Sequence, residues 1–591
     1  MFQCVTRRTA AVAATLTFSA GLMLVSGATF EQAERPLVVD FYALGTDGIA
    51  LPDLKSSEVT IRVNGRPRTI QSLRLVKQSE LPSADPLAAR DSSLTQPFGT
   101  NNAAELGRSI VLVIEDESFR AGSGSEKPLR AAVSAFLGSL SPRDRVSVWT
   151  LPHGGMKVNL TSNHDRVSEA MLNIGGHGPE RETASEAACR TRTSLEALDQ
   201  LLSTLQGGEG PAIVIYLTGG MAGPTQNSAS GMAPGMCELR VDKFQRVGQM
   251  TAAARAHFYV VLIDDLGPQS LSGGDASMGG LEHLAGVTGG TRLALARAGN
   301  TGLVNVAKAT ASYYSAVVDN AGLDIEGAIG LDVKVSRPDV TVRSRPQVYL
   351  RKPKGITAQV TTPDEMLKTT AMFTDLQLRV AGFSSTNGDG RIRVIAAAEP
   401  VDPAVKLASL SAALYDSQGQ MVVRSTASEP DLAMMPVLSA MAVNSGLFRL
   451  RVAAVDTNGR AGAADTDVLA EVVQAGALKL SSLVLGLKRE GKFMPKLQFS
   501  NEPLAIAILD FFGGKQGAGI GAILEVLNMA GETIATNRLS IEATQDPQRF
   551  TATGAVPLGA LPPGDYIARI TIGVDGGPYG RVIRPFRKVA Q

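Results

Sequence analysis

Residues 108–120 read RSIVLVIEDESFR, and this stretch decides the fold of the region around it. Five consecutive apolar residues, Ile110 to Ile114, predict a strand buried on both faces, as strands of parallel sheets are. Up to about residue 318, strand-like apolar runs alternate with segments of helical apolar spacing. This alternation predicts a doubly wound α/β domain over 107–318, with a parallel sheet and right-handed crossovers. Such sheets bind ligands at the carboxyl ends of their strands.

Oxygen-bearing side chains follow the buried strand at that edge. Asp116 and Ser118 lie two residues apart, so that both can face one point above the sheet, where a hard cation prefers oxygen ligands. Thr193 leads into a helix, and Thr218-Gly219-Gly220 follows another apolar strand. Together these positions resemble the metal-ion site of von Willebrand factor type A (VWA) domains. The resemblance implies that Asp116, Ser118 and Thr193 are ligands of a divalent cation such as Mg²⁺.

Two of the five positions of the VWA pattern differ in this chain. Arg120 stands where the family has a serine, and Gly219 stands where it has an aspartate. These changes predict a degenerate site that holds Mg²⁺ weakly or not at all. Glu115 or Glu117 could compensate as a ligand. The alternative is a metal-free site in which Asp116 pairs with Arg120.

The wider order of motifs narrows the resemblance. A hairpin with an Asn64-Gly65 turn precedes the α/β region, which contains Leu284 to Gly290 and then Ser312-Tyr313-Tyr314. A short strand ending in Arg345 follows. This order is similar to the VWA-related proteins abundant in acidobacteria, which are exported proteins of largely unassigned function. The resemblance implies fold and compartment, and it names no ligand.

Residues 1–28 predict an export signal. Arg7 and Arg8 form a basic start, Ala10 to Gly27 is apolar and uncharged, and Ser26-Gly27-Ala28 offers small residues for cleavage. The apolar run is long enough to cross a bilayer, so a retained membrane anchor is the alternative. After cleavage we expect no membrane span and a periplasmic, cell-surface or extracellular location.

Two of the three cysteines, Cys189 and Cys237, lie beyond the signal. In a VWA-like sheet the loops that carry them lie at the same carboxyl edge, and the expected compartment is oxidising. We therefore predict a disulfide between them, with two free thiols as the alternative.

Strand signals flank the α/β region on both sides. Residues 35–77 predict a hairpin unit, and residues 319–353 predict further short strands. Neither segment alone has enough strands to bury a face, so we expect the two to pair. The polar residues 78–106 predict a linker.

The remainder of the chain predicts two immunoglobulin-like β-sandwiches, at 355–475 and 476–591. A weak internal repeat supports the division: Ala413–Gly419 resembles Glu525–Gly531, and Ser445–Val452 resembles Pro563–Ile570. Within the first sandwich, a helix is expected at Asp465–Gln474.

Composition and motifs limit the function. The net charge of +1 gives no reason to expect a nucleic-acid partner. His153, His164 and His177 have no zinc-binding spacing, and no nucleophile motif stands out. We predict an exported, non-enzymatic protein that binds a protein partner and has no cofactor beyond a weakly held Mg²⁺. The alternatives are a cell-envelope scaffold without a ligand face and an unrecognised hydrolase.

Overall fold

The computed structural model places residues 37–78, 96–102, 106–122, 124–206, 210–224, 237–263, 276–295, 301–323, 326–350, 362–369, 373–387, 389–489, 491–513, 519–529, 531–546, 548–574 and 579–590. The expected signal peptide, residues 1–28, lies outside them.

The N-terminal strands come first along the chain: β1 (Leu37–Leu44), β2 (Val59–Val63), β3 (Arg66–Arg68), β4 (Ile70–Lys77) and β5 (Gly99–Thr100). Asn64 and Gly65 connect β2 and β3, and both have positive φ, 51° and 75°. A two-residue hairpin turn requires that conformation, which asparagine and glycine adopt most easily.

The next region is an α/β domain. Its elements are β6 (Ser109–Glu115), α1 (Glu126–Gly138), β7 (Arg145–Leu151), β8 (Gly155–Thr161), α2 (His164–Leu172), α3 (Ala184–Thr204), β9 (Ala212–Thr218), α4 (Val241–Ala253), β10 (Ala256–Leu262), α5 (Ala276–Thr288), β11 (Thr291–Ala294) and α6 (Thr301–Ala309).

The six strands of this domain form one sheet in the order β11-β10-β9-β6-β7-β8. All neighbours are parallel except β8, which is antiparallel to β7. Side chains of β6 alternate between two cores: Ile110 and Leu112 pack with α1, α2 and α6, whereas Val111 and Val113 pack with α3, α4 and α5. Helices therefore cover both faces, which explains why the residues from Ile110 to Ile114 are all apolar.

Four strands follow, β12 (Ser312–Val318), β13 (Gly327–Val335), β14 (Thr341–Ser344) and β15 (Gln347–Leu350). They pair with the N-terminal strands in two four-stranded sheets, β14-β1-β12-β4 and β15-β13-β2-β3. The two sheets share one apolar core. Strand β12, which we had assigned to the end of the α/β domain, belongs to this flanking unit.

The first sandwich contains α7 (Pro363–Leu367), β16 (Leu378–Thr386), β17 (Ile392–Pro400), β18 (Leu407–Tyr415), β19 (Met421–Thr426), α8 (Glu429–Leu432), β20 (Val437–Val443), β21 (Gly446–Asp456) and β22 (Ala461–Ala470). Its sheets have the orders β20-β17-β16-β5 and β19-β18-β21-β22. The helix expected at Asp465–Gln474 is wrong, because most of that segment continues β22 beside β21.

The segment expected as a linker is in part a strand. Residues 96–102, here called the strap, insert β5 at the edge of β16. The side-chain amide of Asn101 donates to the carbonyl oxygens of Phe373 and Leu376, both at 2.8 Å. A Cβ at Gly99 would lie 2.1 Å from the Asp465 carbonyl oxygen, so only glycine fits this close approach.

The second sandwich contains β23 (Val473–Ala475), β24 (Leu478–Leu480), β25 (Val484–Arg489), β26 (Lys492–Pro495), β27 (Gln498–Phe499), β28 (Leu504–Phe512), β29 (Ile520–Asn528), β30 (Thr533–Arg538), β31 (Ser540–Ala543), β32 (Arg549–Pro557), β33 (Gly564–Val574) and β34 (Gly580–Lys588). One sheet is built around β25-β28-β32, and the other has the order β27-β34-β33-β29-β30.

The two sandwiches repeat the same hairpins. Strands β19-β18-β21-β22 of the first correspond in order to β30-β29-β33-β34 of the second. The β18–β19 and β29–β30 turns both close with a glycine N–H that donates to a carbonyl three residues earlier: Gly419 to Asp416 and Gly531 to Asn528. Shared order and turn geometry give the repeat in the sequence a structural basis. None of the described helices is long and apolar enough to cross a membrane.

Candidate functional site

A buried carboxylate lies at the carboxyl end of β6. Glu115 has no exposed surface. One of its oxygens accepts hydrogen bonds from Arg190 at 2.6 Å and Ser194 at 2.7 Å. The other accepts from Tyr216 at 2.8 Å and Thr218 at 2.6 Å. These contacts tie β6 to helix α3 and strand β9, so Glu115 faces inward and is not available to compensate for a missing metal ligand.

Arg190 is the cation of this network. Its guanidinium contacts Glu182 at 2.8 and 2.9 Å in addition to Glu115, and it donates to the Gly220 carbonyl oxygen at 3.1 Å. Burial alone would lower the pKa of Arg190, but Glu115 and Glu182 raise it above its usual value. A fixed protein cation thus lies beside the buried carboxylate at the strand end.

The loops that would surround a metal ion are closed on each other. The backbone N–H of Gly219 donates to the Ser118 hydroxyl at 2.7 Å, and that hydroxyl donates to the Glu115 carbonyl oxygen at 2.5 Å. A Cβ at residue 219 would lie 2.4 Å from the Ser118 carbonyl oxygen. Glycine at this position therefore lets the two loops touch, in the space where the aspartate of the VWA pattern would begin.

The two other implied ligands also have protein partners. Asp116 is buried, and its carboxylate lies 3.2 Å from the His177 ring nitrogen. Burial raises the pKa of this carboxyl group, against the opposing effect of His177. The hydroxyl of Thr193 donates to the carbonyl oxygen of Cys189, one turn earlier in α3, at 3.0 Å. In the part of the chain that the structure describes, no three histidine, cysteine, aspartate or glutamate side chains lie close enough together to hold an ion.

The alternative in which Asp116 pairs with Arg120 is wrong, because Asp116 pairs with His177. Arg120 contacts Glu180 at 3.4 Å, and both side chains are largely exposed. The 176–178 loop lies against the turn after β6, where the His177 N–H donates to the Asp116 carbonyl oxygen. His177 is therefore the neighbour of Asp116. The adjacent Glu117 pairs with His153 at 2.6 Å on the exposed rim.

The predicted disulfide between Cys189 and Cys237 is confirmed, with Cα atoms 4.9 Å apart. Cys189 lies in the second turn of α3 and not in the preceding loop, as we had expected. The helix begins at Ala184 because Thr183 and Glu186 form a capping box. The bond fixes this helix to the segment that leads into α4.

Arg190 is the important residue that the sequence analysis missed. An acidic residue at the end of an all-apolar strand signals a buried cation, because an unpaired buried carboxylate is too costly. Strand periodicity also places Glu115 on the side of Val113, toward α3. The sequence does not show which arginine of α3 reaches it.

Comparisons with known proteins do not assign the chain to a family. No protein-family model and no curated protein matches the chain. Among solved structures, the fibronectin(III)-like modules of Clostridium thermocellum CbhA are 14% identical, with 34% of this chain and 85% of that chain covered and a TM-score of 0.12. Latent PorU from Porphyromonas gingivalis is 11% identical, with 47% of this chain and 26% of that chain covered and a TM-score of 0.19. The C-terminal domain of the Streptococcus agalactiae AgI/II polypeptide BspA is 11% identical, with 36% of this chain and 92% of that chain covered and a TM-score of 0.12. Scores this low do not establish a common fold.

Proposed function

We propose that this chain is an exported, non-enzymatic interaction protein that presents the carboxyl edge of its α/β sheet to a protein partner. The observation that carries the proposal is the closure of this edge by Ser118 and Gly219. Beneath them, Glu115 and Arg190 hold the strand end to α3. Loops held in this way lose little conformational entropy when they bind, which favours recognition by a preformed surface.

The exposed side of the edge is polar. Its side chains include His153, His177 and Glu180, which are 71%, 68% and 82% exposed. Charged rims of this kind select partners and their orientation through electrostatic complementarity. Export is supported by the Cys189–Cys237 bond, since disulfides persist in oxidising compartments.

Metal-independent binding follows from the same geometry. The Ser118 hydroxyl is used by the protein itself, and Arg190 supplies the positive charge next to Glu115. We therefore propose that the VWA-like site works without a tightly held Mg²⁺. A weakly held ion would not change which loops face the partner.

The test is affinity capture with the immobilised full chain from envelope and medium fractions of its own cells. A Glu117→Lys/Glu180→Lys variant reverses charge on the rim. A Glu282→Lys/Asp332→Lys variant makes the same charge change on exposed positions of α5 and β13. We expect the partner to bind the wild type and the second variant, with Mg²⁺ or with EDTA, and to be lost with the first. Equal capture by both variants would place the partner on another surface and overturn the proposal, and loss with EDTA would show that a metal is needed. Capture of no partner by the wild type would favour the scaffold without a ligand face.

A further inference from the structure

A polar cavity of about 90 Å³ lies where the α/β domain, the strap and both sandwiches meet. It lies at the amino edge of the α/β sheet, opposite the candidate interaction edge, because Arg145 begins β7 and Thr161 ends the antiparallel β8. A space of this size holds more than one water molecule. Its lining includes four arginines and two aspartates: Arg145, Arg166, Arg449, Arg584, Asp465 and Asp467.

Both aspartates are already paired with arginines. Asp465 accepts hydrogen bonds from Arg449 at 2.8 Å and from Arg451 at 2.7 Å. Asp467 accepts from Arg166 at 2.8 Å, a contact that joins α2 to β22. Both carboxylates at the junction therefore already have arginine partners other than Arg145 and Arg584.

Arg145 and Arg584 form no ion pair with any described residue. Arg145 donates to the Ser109 hydroxyl at 2.9 Å. Arg584 donates to the Pro97 carbonyl oxygen at 2.9 Å and lies over the Phe383 ring, 4.5 Å from its centre. Burial lowers the pKa of each guanidinium to about 10, against an opposing electrostatic effect of Asp465 on Arg145. Both side chains are partly buried and neither forms an ion pair with a described residue, so positive charge exceeds negative charge at the junction.

The junction also has unused hydrogen-bond donors. The Nε atom of Arg145 and the Nε2 atom of Gln96 are buried and have no partner among the described residues. Buried donors are nearly always satisfied in native proteins. Oxyanions suit such donors, because arginine binds phosphate, sulfate and carboxylate oxygens through strong charge-assisted hydrogen bonds.

We propose that this cavity binds one small oxyanion: phosphate, sulfate or a small carboxylate. The anion would supply a negatively charged partner for Arg145 and Arg584. By contacting both arginines, it would also stabilise the contact between the α/β domain and the two sandwiches. This site is independent of the proposed interaction edge and involves none of its residues.

The test is calorimetric titration of the full chain with inorganic phosphate, sulfate and acetate at constant ionic strength. We expect one saturable site with a dissociation constant near or below about 1 mM for at least one anion. Arg145→Gln should weaken binding at least tenfold. Arg143→Gln removes the same charge two residues away, at an exposed side chain outside the cavity, and should leave the affinity unchanged.

Absence of saturable binding to the wild type overturns the proposal and indicates a cavity filled by water. Equal weakening in both variants, or none in Arg145→Gln, overturns it by placing the anion elsewhere. If Arg145→Gln does not fold, as judged by circular dichroism, Arg584→Gln takes its place under the same criteria.

Discussion

The buried carboxylate at the end of β6 gives the sharpest stability prediction. Glu115→Gln keeps the size of the side chain but removes its charge and one acceptor oxygen. Two of the four donors, either Arg190 and Ser194 or Tyr216 and Thr218, would then face an amide N–H₂ group. Breaking a buried charge pair costs about 3–5 kcal/mol.

We expect the lower end of that range, about 3 kcal/mol, because Arg190 keeps its second carboxylate, Glu182. The control is Glu117→Gln. That residue is two positions away and partly exposed, and it pairs with the exposed His153. An exposed pair contributes about 0–1 kcal/mol, so the control should resemble the wild type.

Urea unfolding at pH 7, followed by the fluorescence of Trp149, measures both variants. Trp149 is the only tryptophan of the chain and lies in β7, directly beside β6, so its signal reports on this domain. If Glu115→Gln is destabilised no more than Glu117→Gln, the carboxylate network does not hold the strand end, and the reasoning fails.

Three further predictions concern the same domain. Replacing Cys189 and Cys237 by serine releases a loop of 48 residues and should lower the free energy of unfolding by up to about 4 kcal/mol; an unchanged urea midpoint would contradict this. Gly219→Asp should not create Mg²⁺ binding in calorimetry and should cost about 1–3 kcal/mol, because its Cβ overlaps the Ser118 carbonyl oxygen; tight binding that Asp116→Ala abolishes would refute it. Burial, aided by Arg345 and Arg255, lowers the pKa of His257, so only the unfolded chain takes up this proton below about pH 6.5. As the pH is lowered below about 6.5, the free energy of unfolding should therefore decrease by up to about 1.4 kcal/mol per pH unit. The variant His257→Gln should lack this part of the pH dependence.

The sequence predicts those parts of the fold that depend on local periodicity. The apolar run Ile110 to Ile114 predicts a strand buried on both faces, because it is short and belongs to a series of apolar runs that alternate with helical segments. Asn64-Gly65 likewise specifies its own turn. The strap could not be predicted, since a strand of two residues, Gly99 and Thr100, is too short to show a periodic pattern and forms only by pairing with β16.

In the candidate site, too, the contacts between distant segments could not be predicted from local sequence. The residue types of the site are visible in the sequence, but a motif of single residues does not show whether the loops that carry them contact each other. The contact between Gly219 and Ser118 is a tertiary closure between segments 101 residues apart, and strand periodicity does not report it. The cysteine pair was predictable because only one pairing exists beyond residue 28, although the start of α3 at Ala184, after the capping residue Thr183, was overlooked.

The strap has a consequence for how the chain is made. Thr100 donates to Leu378, 278 residues later, and Pro97 accepts from Arg584, 487 residues later. A chain leaves the ribosome with its N-terminus first, and domains usually fold in that order. The strap is made before the α/β domain, whereas β16, the strand with which it pairs, is made after that domain. The edge of the first sandwich can therefore be completed only after the α/β domain has been synthesised, and a chain stopped before residue 378 leaves its strap without a sheet.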